Sequence, residues 1–135
     1  QLLPTFIAQG SAQVINISSG AGQADSPLPP DAGGWSFAYG ASKAALARLS
    51  GFINLEHGRQ GLRAFTVNPG LVSTEAVTAT LGDGGLLEQR YGAMPPERIA
   101  AGLLWLATDA QAAPLARQSS MIDLQPLIRE HGIGA

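Results

Sequence analysis

The sequence predicts an α/β fold in which helices flank a parallel sheet. Three short apolar runs, at 13–18, 62–67 and 119–124, have the length and composition of strands. Two longer segments, at 37–57 and 95–109, repeat apolar residues at helical spacing. Strands that alternate with helices of more than about ten residues are typical of right-handed parallel crossovers. With 135 residues, the chain is expected to form one domain around one modest core.

Glycines and branched side chains predict the first elements. Residues 1–10 read as the last turns of a helix, because Gly10 stands where helices commonly stop. The run QVINIS, at 13–18, is rich in β-branched residues and is predicted as a buried parallel strand. A loop rich in Gly, Pro and Asp follows at 20–36, and its roughly 17 residues exceed the usual α/β connection. We interpret it as a functional loop or an insertion.

The segment at 37–57 carries the longest helical pattern. Its apolar positions recur three and four residues apart, at Ala41, Ala45, Leu49, Phe52 and Leu55. Gly58 then offers a stop. The helix predicted at 95–109 begins with two prolines, which suit a helix start. The last run, at 119–124, is predicted as the third strand.

Charge and composition exclude several classes of function. Ten acidic side chains oppose eight basic ones with no basic run, so the surface that nucleic acid or an anionic membrane requires is missing. The sequence has no cysteine, and its two histidines and scattered carboxylates lack metal-ligand spacing, so no metal is expected. No apolar run approaches the roughly 20 residues that cross a bilayer. We therefore expect a cytoplasmic protein whose partner is a small molecule or another protein.

The stretch AYGASKAALA contains Tyr39 and Lys43, the only lysine in the sequence. Residues four apart on a helix share one face, with about 5–6 Å between Cβ atoms. A cation within about 4–6 Å lowers the pKa of a phenol by about one to three units. The pair is therefore predicted to make Tyr39 a general acid and base. The alternative is a surface lysine that merely follows a half-buried tyrosine.

Polar residues also follow the first two predicted strands. The stretch NISSGAG places Ser18 and Ser19 at the end of the first strand, and VNPGLVST places Thr74 shortly after the second. Open α/β sheets bind ligands at this edge, where a serine hydroxyl can donate to a carbonyl oxygen. The alternative is that the serines only cap the strand end. Together with the start of the long helix, these positions are predicted to converge on one crevice.

In this order, the segments NISS, YGASK and NPGLVST resemble the short-chain dehydrogenase/reductase family, with its Tyr-x-x-x-Lys signature. The resemblance runs to about Asp123 and implies the C-terminal part of a Rossmann-like doubly wound sheet. It implies hydride transfer between NAD or NADP and a small alcohol or ketone, in a homo-oligomer. Tyr39 would exchange the proton, Lys43 would hold the nicotinamide ribose, and Ser19 would orient the substrate carbonyl. The segment that would contact the nicotinamide carboxamide corresponds to Pro69, Gly70, Val72 and Thr74.

The family's N-terminal features are not found in the chain. The glycine-rich turn after the first strand, the residue that selects the ribose and the asparagine of the catalytic set would all precede Gln1. We therefore expect residues 1–135 to be part of a dehydrogenase domain. Alone, they are expected to bind the cofactor weakly or not at all, and to leave the first strand as an unpaired edge.

Two further departures concern the middle and the end of the chain. Ser19 and Tyr39 are twenty residues apart, which exceeds the family's usual spacing. The active-site loop at 20–36 is therefore expected to border the substrate pocket. Where the family has Asp-Gly-Gly after the third strand, this sequence has Asp123, Leu124 and Gln125. The tail at 125–135 is atypical of the family.

Three alternatives are open. A sugar-nucleotide epimerase or dehydratase shares Tyr-x-x-x-Lys, although NPGLVST and the short chain after it favour a simple oxidoreductase. A serine hydrolase would use Ser19 with His57 or His131 and an aspartate such as Asp31, but the sequence has no Gly-x-Ser-x-Gly motif. A non-catalytic protein would keep the motifs and use the Ala-rich helix as an interaction surface. Measuring cofactor binding separates this last alternative from an enzyme.

Overall fold

In the computed structural model, three parallel strands form one sheet with helices packed against it, as the sequence predicts. The structure describes residues 2–82, 84–117 and 120–134. The strands, in the order β1-β2-β3, are β1 (Ala12–Ile17), β2 (Leu62–Asn68) and β3 (Ile122–Asp123). The helices are α1 (Leu3–Gln9), α2 (Phe37–His57), α3 (Glu75–Leu81), α4 (Gly84–Tyr91), α5 (Pro96–Thr108) and α6 (Leu124–Glu130).

The register places the ends of all three strands at one edge of the sheet. Ile17 pairs with Val67, and Asn68 pairs with Asp123. Because the strands are parallel, the residues that follow β1 and β2 leave the sheet side by side. The backbone N–H of Ser18 continues the pairing by donating to the Val67 carbonyl over 2.7 Å. The two segments that carry the predicted site residues therefore begin next to each other.

Strand β2 is covered on both faces. Phe65 and Val67 are buried in an apolar core with side chains of α5 and α6. Thr66 points to the opposite face, because successive strand residues alternate. Its hydroxyl lies 2.8 Å from the Ser50 hydroxyl and 3.1 Å from the Ala47 carbonyl, both on α2. Burial on both faces explains why β2 reads as a nearly continuous apolar run.

Strand β1 is less buried than the sequence predicts. It spans Ala12–Ile17 rather than 13–18, and most of its side chains are half-buried. Its one strand partner among the described residues is β2, so β1 lies at the edge of this sheet. Ile17, near the predicted site, is 38% exposed.

Helix α2 spans the residues that the apolar spacing predicts. It begins after Ser36, whose hydroxyl accepts from the backbone N–H of Tyr39 over 3.3 Å and so satisfies one free donor of the first turn. The helix ends at His57 and is followed by a 3₁₀ turn at Gly58–Gln60. The N-cap therefore places Tyr39 in the first turn of the helix.

The loop at 20–36 has internal structure. It contains two 3₁₀ turns, at Gly20–Gly22 and Pro30–Ala32. Ser26 closes the second half of the loop, because its hydroxyl accepts from the Trp35 N–H over 2.9 Å and donates to the Leu28 carbonyl over 2.6 Å. The loop therefore returns to the start of α2 along a defined path.

The predicted C-terminal strand is wrong at its end. Strand β3 contains only Ile122–Asp123, and Leu124 begins helix α6, whereas Ser119 lies outside the described residues. The spacing of the buried apolar residues is helical, since they occupy positions Leu124, Leu127 and Ile128. The atypical tail predicted at 125–135 therefore begins inside a helix that contributes to the core.

The sequence analysis also missed helices α3 and α4, which lie between β2 and α5. The signal for α3 is Thr74 followed by Glu75, an N-cap and an acidic first turn. In the described part of the chain, no single helix has the length and apolar composition to cross a membrane. The bent pair formed by α5 and the 3₁₀ helix Ala110–Arg117 meets both criteria when taken together.

Candidate active site

Lys43 connects helix α2 to the end of β1. Its Nζ donates to the Ile17 carbonyl over 3.1 Å. The same Nζ lies 5.6 Å from the centre of the Tyr39 ring, so the two side chains share one face of the helix as their spacing predicts. An ammonium has three donors, and the bond to Ile17 uses one of them. The others are available to a bound molecule.

Ser18 makes a second link between the same elements. Its hydroxyl donates to the backbone carbonyl of Lys43 over 2.9 Å, and the residue is 2% exposed. Both the backbone and the side chain of Lys43 are therefore tied to the end of β1. This buried bond assigns Ser18 a structural task and directs its hydroxyl hydrogen into the protein.

Ser19 is placed differently. It is the N-cap of the turn at Gly20–Gly22, where its hydroxyl oxygen accepts from the Ala21 N–H over 3.2 Å. Accepting uses a lone pair and leaves the hydroxyl hydrogen for another partner. Of the two adjacent serines, Ser19 is thus the one with the chemistry needed to orient a carbonyl oxygen.

Gly22 allows this turn to lie against α2. A Cβ at that position would be 2.7 Å from the backbone carbon of Lys43, which is closer than real contacts permit. Glycine is therefore required for the turn and the helix to approach each other. The sequence analysis did not assign Gly22 to the site, although a glycine shortly after a strand end is a signal for close backbone approach.

Tyr39 is accessible to a small molecule, since it is 44% exposed. A groove of about 580 Å³ lies beside it, between the loop at 20–36 and α2. Trp35, Phe37 and Gly40 are among the residues that line this groove. The groove follows the helix face next to that of Tyr39 and Lys43.

The segment after β2 begins at the neighbouring strand end. A Cβ at Gly20 would lie 3.9 Å from Asn68 Nδ2, so the turns after β1 and β2 are in contact range. The segment then forms a parallel bridge between Val72 and Met94. The backbone N–H of Met94 donates to the Leu71 carbonyl over 2.9 Å, and the Met94 carbonyl accepts from the Ser73 N–H over 3.1 Å. Because N–H groups alternate along an extended chain, the N–H of Val72 points away from Met94.

The remaining predicted residues of this segment have local tasks. Gly70 adopts a φ of 70° and its N–H donates to the Asn68 side chain over 3.2 Å. Thr74 caps α3, since its hydroxyl oxygen accepts from the Val77 N–H over 3.3 Å. The Thr74 hydroxyl hydrogen is therefore free to be donated, as it is in Ser19. Pro69 follows Asn68 directly and leads the chain into the turn.

The histidines are engaged elsewhere. His57 Nδ1 lies 2.7 Å from the Gln60 side chain, at the far end of α2, about 20 Å along the helix from Lys43. The ring of His131 stacks on Trp105 at 4.7 Å between centres. The structure therefore does not assemble the serine hydrolase alternative at Ser19. In the ranges that the structure describes, no group of three or more His, Asp or Glu side chains could hold a metal.

Comparison with known proteins agrees with the geometry. The family model described as short chain dehydrogenase matches residues 1–83. A probable short-chain type dehydrogenase/reductase of Bradyrhizobium diazoefficiens is 33% identical over 130 residues, which are 91% of this chain and 43% of that protein. The chain spans less than half the length of the curated relatives it matches.

Solved structures show the same relation. An oxidoreductase of the short-chain dehydrogenase/reductase family from Burkholderia thailandensis superposes with a TM-score of 0.68 and 28% identity, over 90% of this chain and 46% of that one. A 4-hydroxyisoleucine dehydrogenase complexed with NADH superposes with a TM-score of 0.63 and 25% identity, over 91% and 50%. The family match, the fold and the placement of the three motifs point to the same group of proteins.

Proposed function

The chain belongs to the short-chain dehydrogenase/reductase family, and we propose that the native protein interconverts a small alcohol and its ketone or aldehyde with NAD or NADP. The structural neighbour that was solved with NADH supports a nicotinamide cofactor. When bound, the nicotinamide supplies the hydride for reduction or accepts it in oxidation. The residues of this chain bind, orient and move the proton.

The donor groups on this sheet edge suit a nicotinamide nucleoside. The ammonium of Lys43 keeps donors for the two hydroxyls of a ribose. The Val72 N–H points away from its bridge partner, so it is available to a carboxamide oxygen. The Thr74 hydroxyl can donate to the same carboxamide. We assign the cofactor side of the site to these groups together with Pro69 and Gly70.

Tyr39 handles the proton in this proposal. During reduction, hydride reaches the carbonyl carbon, the C=O π pair moves to oxygen, and the oxygen takes the Tyr39 hydroxyl proton. During oxidation, Tyr39 takes that proton back. Ser19 donates a hydrogen bond to the same oxygen and holds the carbonyl in line. Lys43 keeps a positive charge beside the phenol that gives up its proton.

One observation carries the proposal: Lys43 is bonded twice to the end of β1. Through these bonds the turn that carries Ser19 and the helix that carries Tyr39 become one rigid unit. The bond from Nζ to the Ile17 carbonyl is the one that depends on the lysine side chain, since any residue at position 43 has a backbone carbonyl that can accept from Ser18. The Nζ anchor supports a ribose-binding and charge-supplying role for the unique lysine, a task that the planar guanidinium of arginine would not reproduce.

The test is an activity screen on the native protein. It is mixed with NADH or NADPH and a panel of aliphatic, cyclic and aromatic ketones and aldehydes, and cofactor absorbance is followed. We expect turnover with at least one carbonyl class and one of the two cofactors. If the folded protein binds neither cofactor in a fluorescence titration, the proposal is wrong and a non-catalytic role is favoured.

We also propose that residues 1–135 alone bind the cofactor weakly. A pyrophosphate is usually held by a glycine-rich turn that opens a helix. In this sequence Gly20 and Gly22 instead form a 3₁₀ turn that leads into the loop. A titration of the isolated chain with NADH and NADPH tests this, and micromolar affinity from a monodisperse monomer would contradict it.

A further inference from the structure

Two side chains tie the turn after β2 to the segment around β3. Asn68 Nδ2 donates to Asp123 Oδ1 over 2.9 Å, while Asn68 Oδ1 accepts from the Gly70 N–H. Gln125 Nε2 donates to the Leu71 carbonyl over 2.7 Å. The partners are 55 and 54 residues apart in sequence. The C-terminal segment therefore fixes the turn from a distant part of the chain.

The Gln125 amide is held firmly. The residue is 8% exposed, and its Oε1 accepts from Arg129 Nη2 over 3.3 Å. The Leu71 carbonyl, which accepts from Gln125 Nε2, also accepts a hydrogen bond from the backbone N–H of Met94. A carbonyl oxygen has two lone pairs, so both acceptor sites of Leu71 are used. The direction of this peptide group is therefore fixed by Gln125 and Met94 together.

Gln125 also packs directly against Gly70. Gly70 adopts a positive φ, and a Cβ there would lie 2.7 Å from Gln125 Nε2. The amide thus occupies the space that a side chain at position 70 would take. Any shift of Gly70 toward α6 is blocked by this contact, and any shift away breaks the bond to Leu71.

We propose that Gln125 is a positioning residue for the cofactor. It holds Gly70 and Leu71 so that the N–H of Val72, the next residue, stays aimed at the nicotinamide carboxamide. The inference rests on the function proposed above. Gln125 stands where the family pattern has the second glycine of Asp-Gly-Gly, so the amide is a feature that this chain adds to the pattern.

The expected effect is on cofactor binding. Without the amide donor, the Leu71 carbonyl keeps one bond, from the backbone N–H of Met94. The segment then samples more positions and has to be ordered when the cofactor binds, which weakens affinity. Tyr39 and Ser19 belong to the other strand end and are bonded to different partners. The proton step is therefore affected less than cofactor binding.

The experiment compares Gln125→Met with Leu127→Ala in the native protein. Methionine keeps the length and volume of glutamine without its donor. Leu127 is buried on the same helix, so its truncation to alanine should destabilise the fold. Its apolar side chain forms no hydrogen bond to the turn after β2. Cofactor dissociation constants are measured by nicotinamide fluorescence, KM and kcat by steady-state kinetics, and thermal stability for every variant.

We expect Gln125→Met to raise the cofactor dissociation constant about tenfold, because the segment that the amide no longer holds has to be ordered on binding. The KM for the cofactor should rise by more than kcat falls. Leu127→Ala should leave both cofactor constants near those of the parent while lowering stability. An unchanged dissociation constant in a folded Gln125→Met variant, or an equal rise in Leu127→Ala, would overturn the inference.

A second variant covers the case in which Gln125→Met does not fold. Gln125→Glu keeps the acceptor for Arg129 and, when ionised, has no donor for Leu71, so it should weaken cofactor binding in the same way. A parent protein that binds neither NADH nor NADPH would refute the proposed function and this inference together. Normal cofactor binding by both Gln125 variants, with activity retained in the parent, would refute this inference alone.

Discussion

The turns after β1 and β2 lie side by side at one edge of the sheet, but they are held by different parts of the chain. The first is tied to α2 through Ser18 and Lys43, 25 residues apart. The second is tied through Asn68 and Leu71 to a segment more than twice as far along the chain. The first turn presents the Ser19 hydroxyl next to the helix that carries Tyr39, while the second turn presents the backbone N–H of Val72.

This difference separates two kinds of expected effect. Changes at the β1 side should lower kcat, because we propose that Tyr39 and Ser19 act on the reacting oxygen. Changes at the β2 side should weaken cofactor affinity. Lys43 belongs to both classes, since its ammonium faces Tyr39 and is assigned to the ribose. The following variants, made in the native protein, test this separation.

The largest effect is expected for Tyr39→Phe. Removing the hydroxyl deletes the proton donor but keeps the ring and its packing, so kcat should fall by at least about 100-fold. The cofactor dissociation constant should change little. Tyr91→Phe is the matched control, because Tyr91 is the only other tyrosine and lies exposed on α4. Near-normal kcat in Tyr39→Phe would remove Tyr39 from the mechanism.

The adjacent serines should give opposite results. Ser19→Ala should lower kcat about 100-fold, as expected for the loss of one oriented donor, and its effect on stability should be limited to the lost cap of the Ala21 N–H. Ser18→Ala should instead lower the free energy of unfolding by about 1 kcal/mol, because a buried hydrogen bond to Lys43 is lost. Steady-state kinetics and denaturant unfolding of both variants measure this. The reverse pattern would exchange the roles of the two serines.

Lys43→Arg should lower both kcat and cofactor affinity, because Lys43 is assigned to both sides of the site. Charge is kept, but the planar guanidinium does not reproduce the bond to the Ile17 carbonyl and the ribose contacts together. We expect kcat/KM to fall about tenfold or more, with weaker cofactor binding as well. Full activity with arginine would show that charge alone suffices, and would remove the positional argument for the unique lysine.

Shortening the loop at 20–36 is expected to have the smallest effect on proton transfer and cofactor binding. Removing residues 27–34 retains Ser26 and Trp35, whose bond closes the loop. Ser26 and Trp35, which flank the deleted residues, line the groove beside α2, so the deletion should change the ranking of carbonyl substrates by altering how these two residues are held. Cofactor affinity should stay within about twofold, since the deletion leaves in place Gly20, the loop residue that lies next to Asn68. Equal losses for the cofactor and for every substrate would indicate a purely structural loop.

The sequence predicts helix α2 well because its signals are local. Apolar spacing sets the bounds of α2, and the Tyr39 and Lys43 pair follows from helical periodicity. The β2 side is only partly predictable. Gln125 becomes part of it through contacts across the fold, which no spacing in the sequence reveals. The same limit explains why the residues after Asp123 are predicted as strand and tail, although their burial makes them a core helix.

The most direct measurement asks whether Ser19 and Tyr39 act on one oxygen as a unit. The double variant Ser19→Ala/Tyr39→Phe is compared with both single variants by kcat and kcat/KM, after unfolding curves show that all three are folded. Groups that act together are strongly non-additive, so we expect the double variant to be within about threefold of Tyr39→Phe alone. Losses that multiply would contradict a shared site, because they would show two groups that contribute independently.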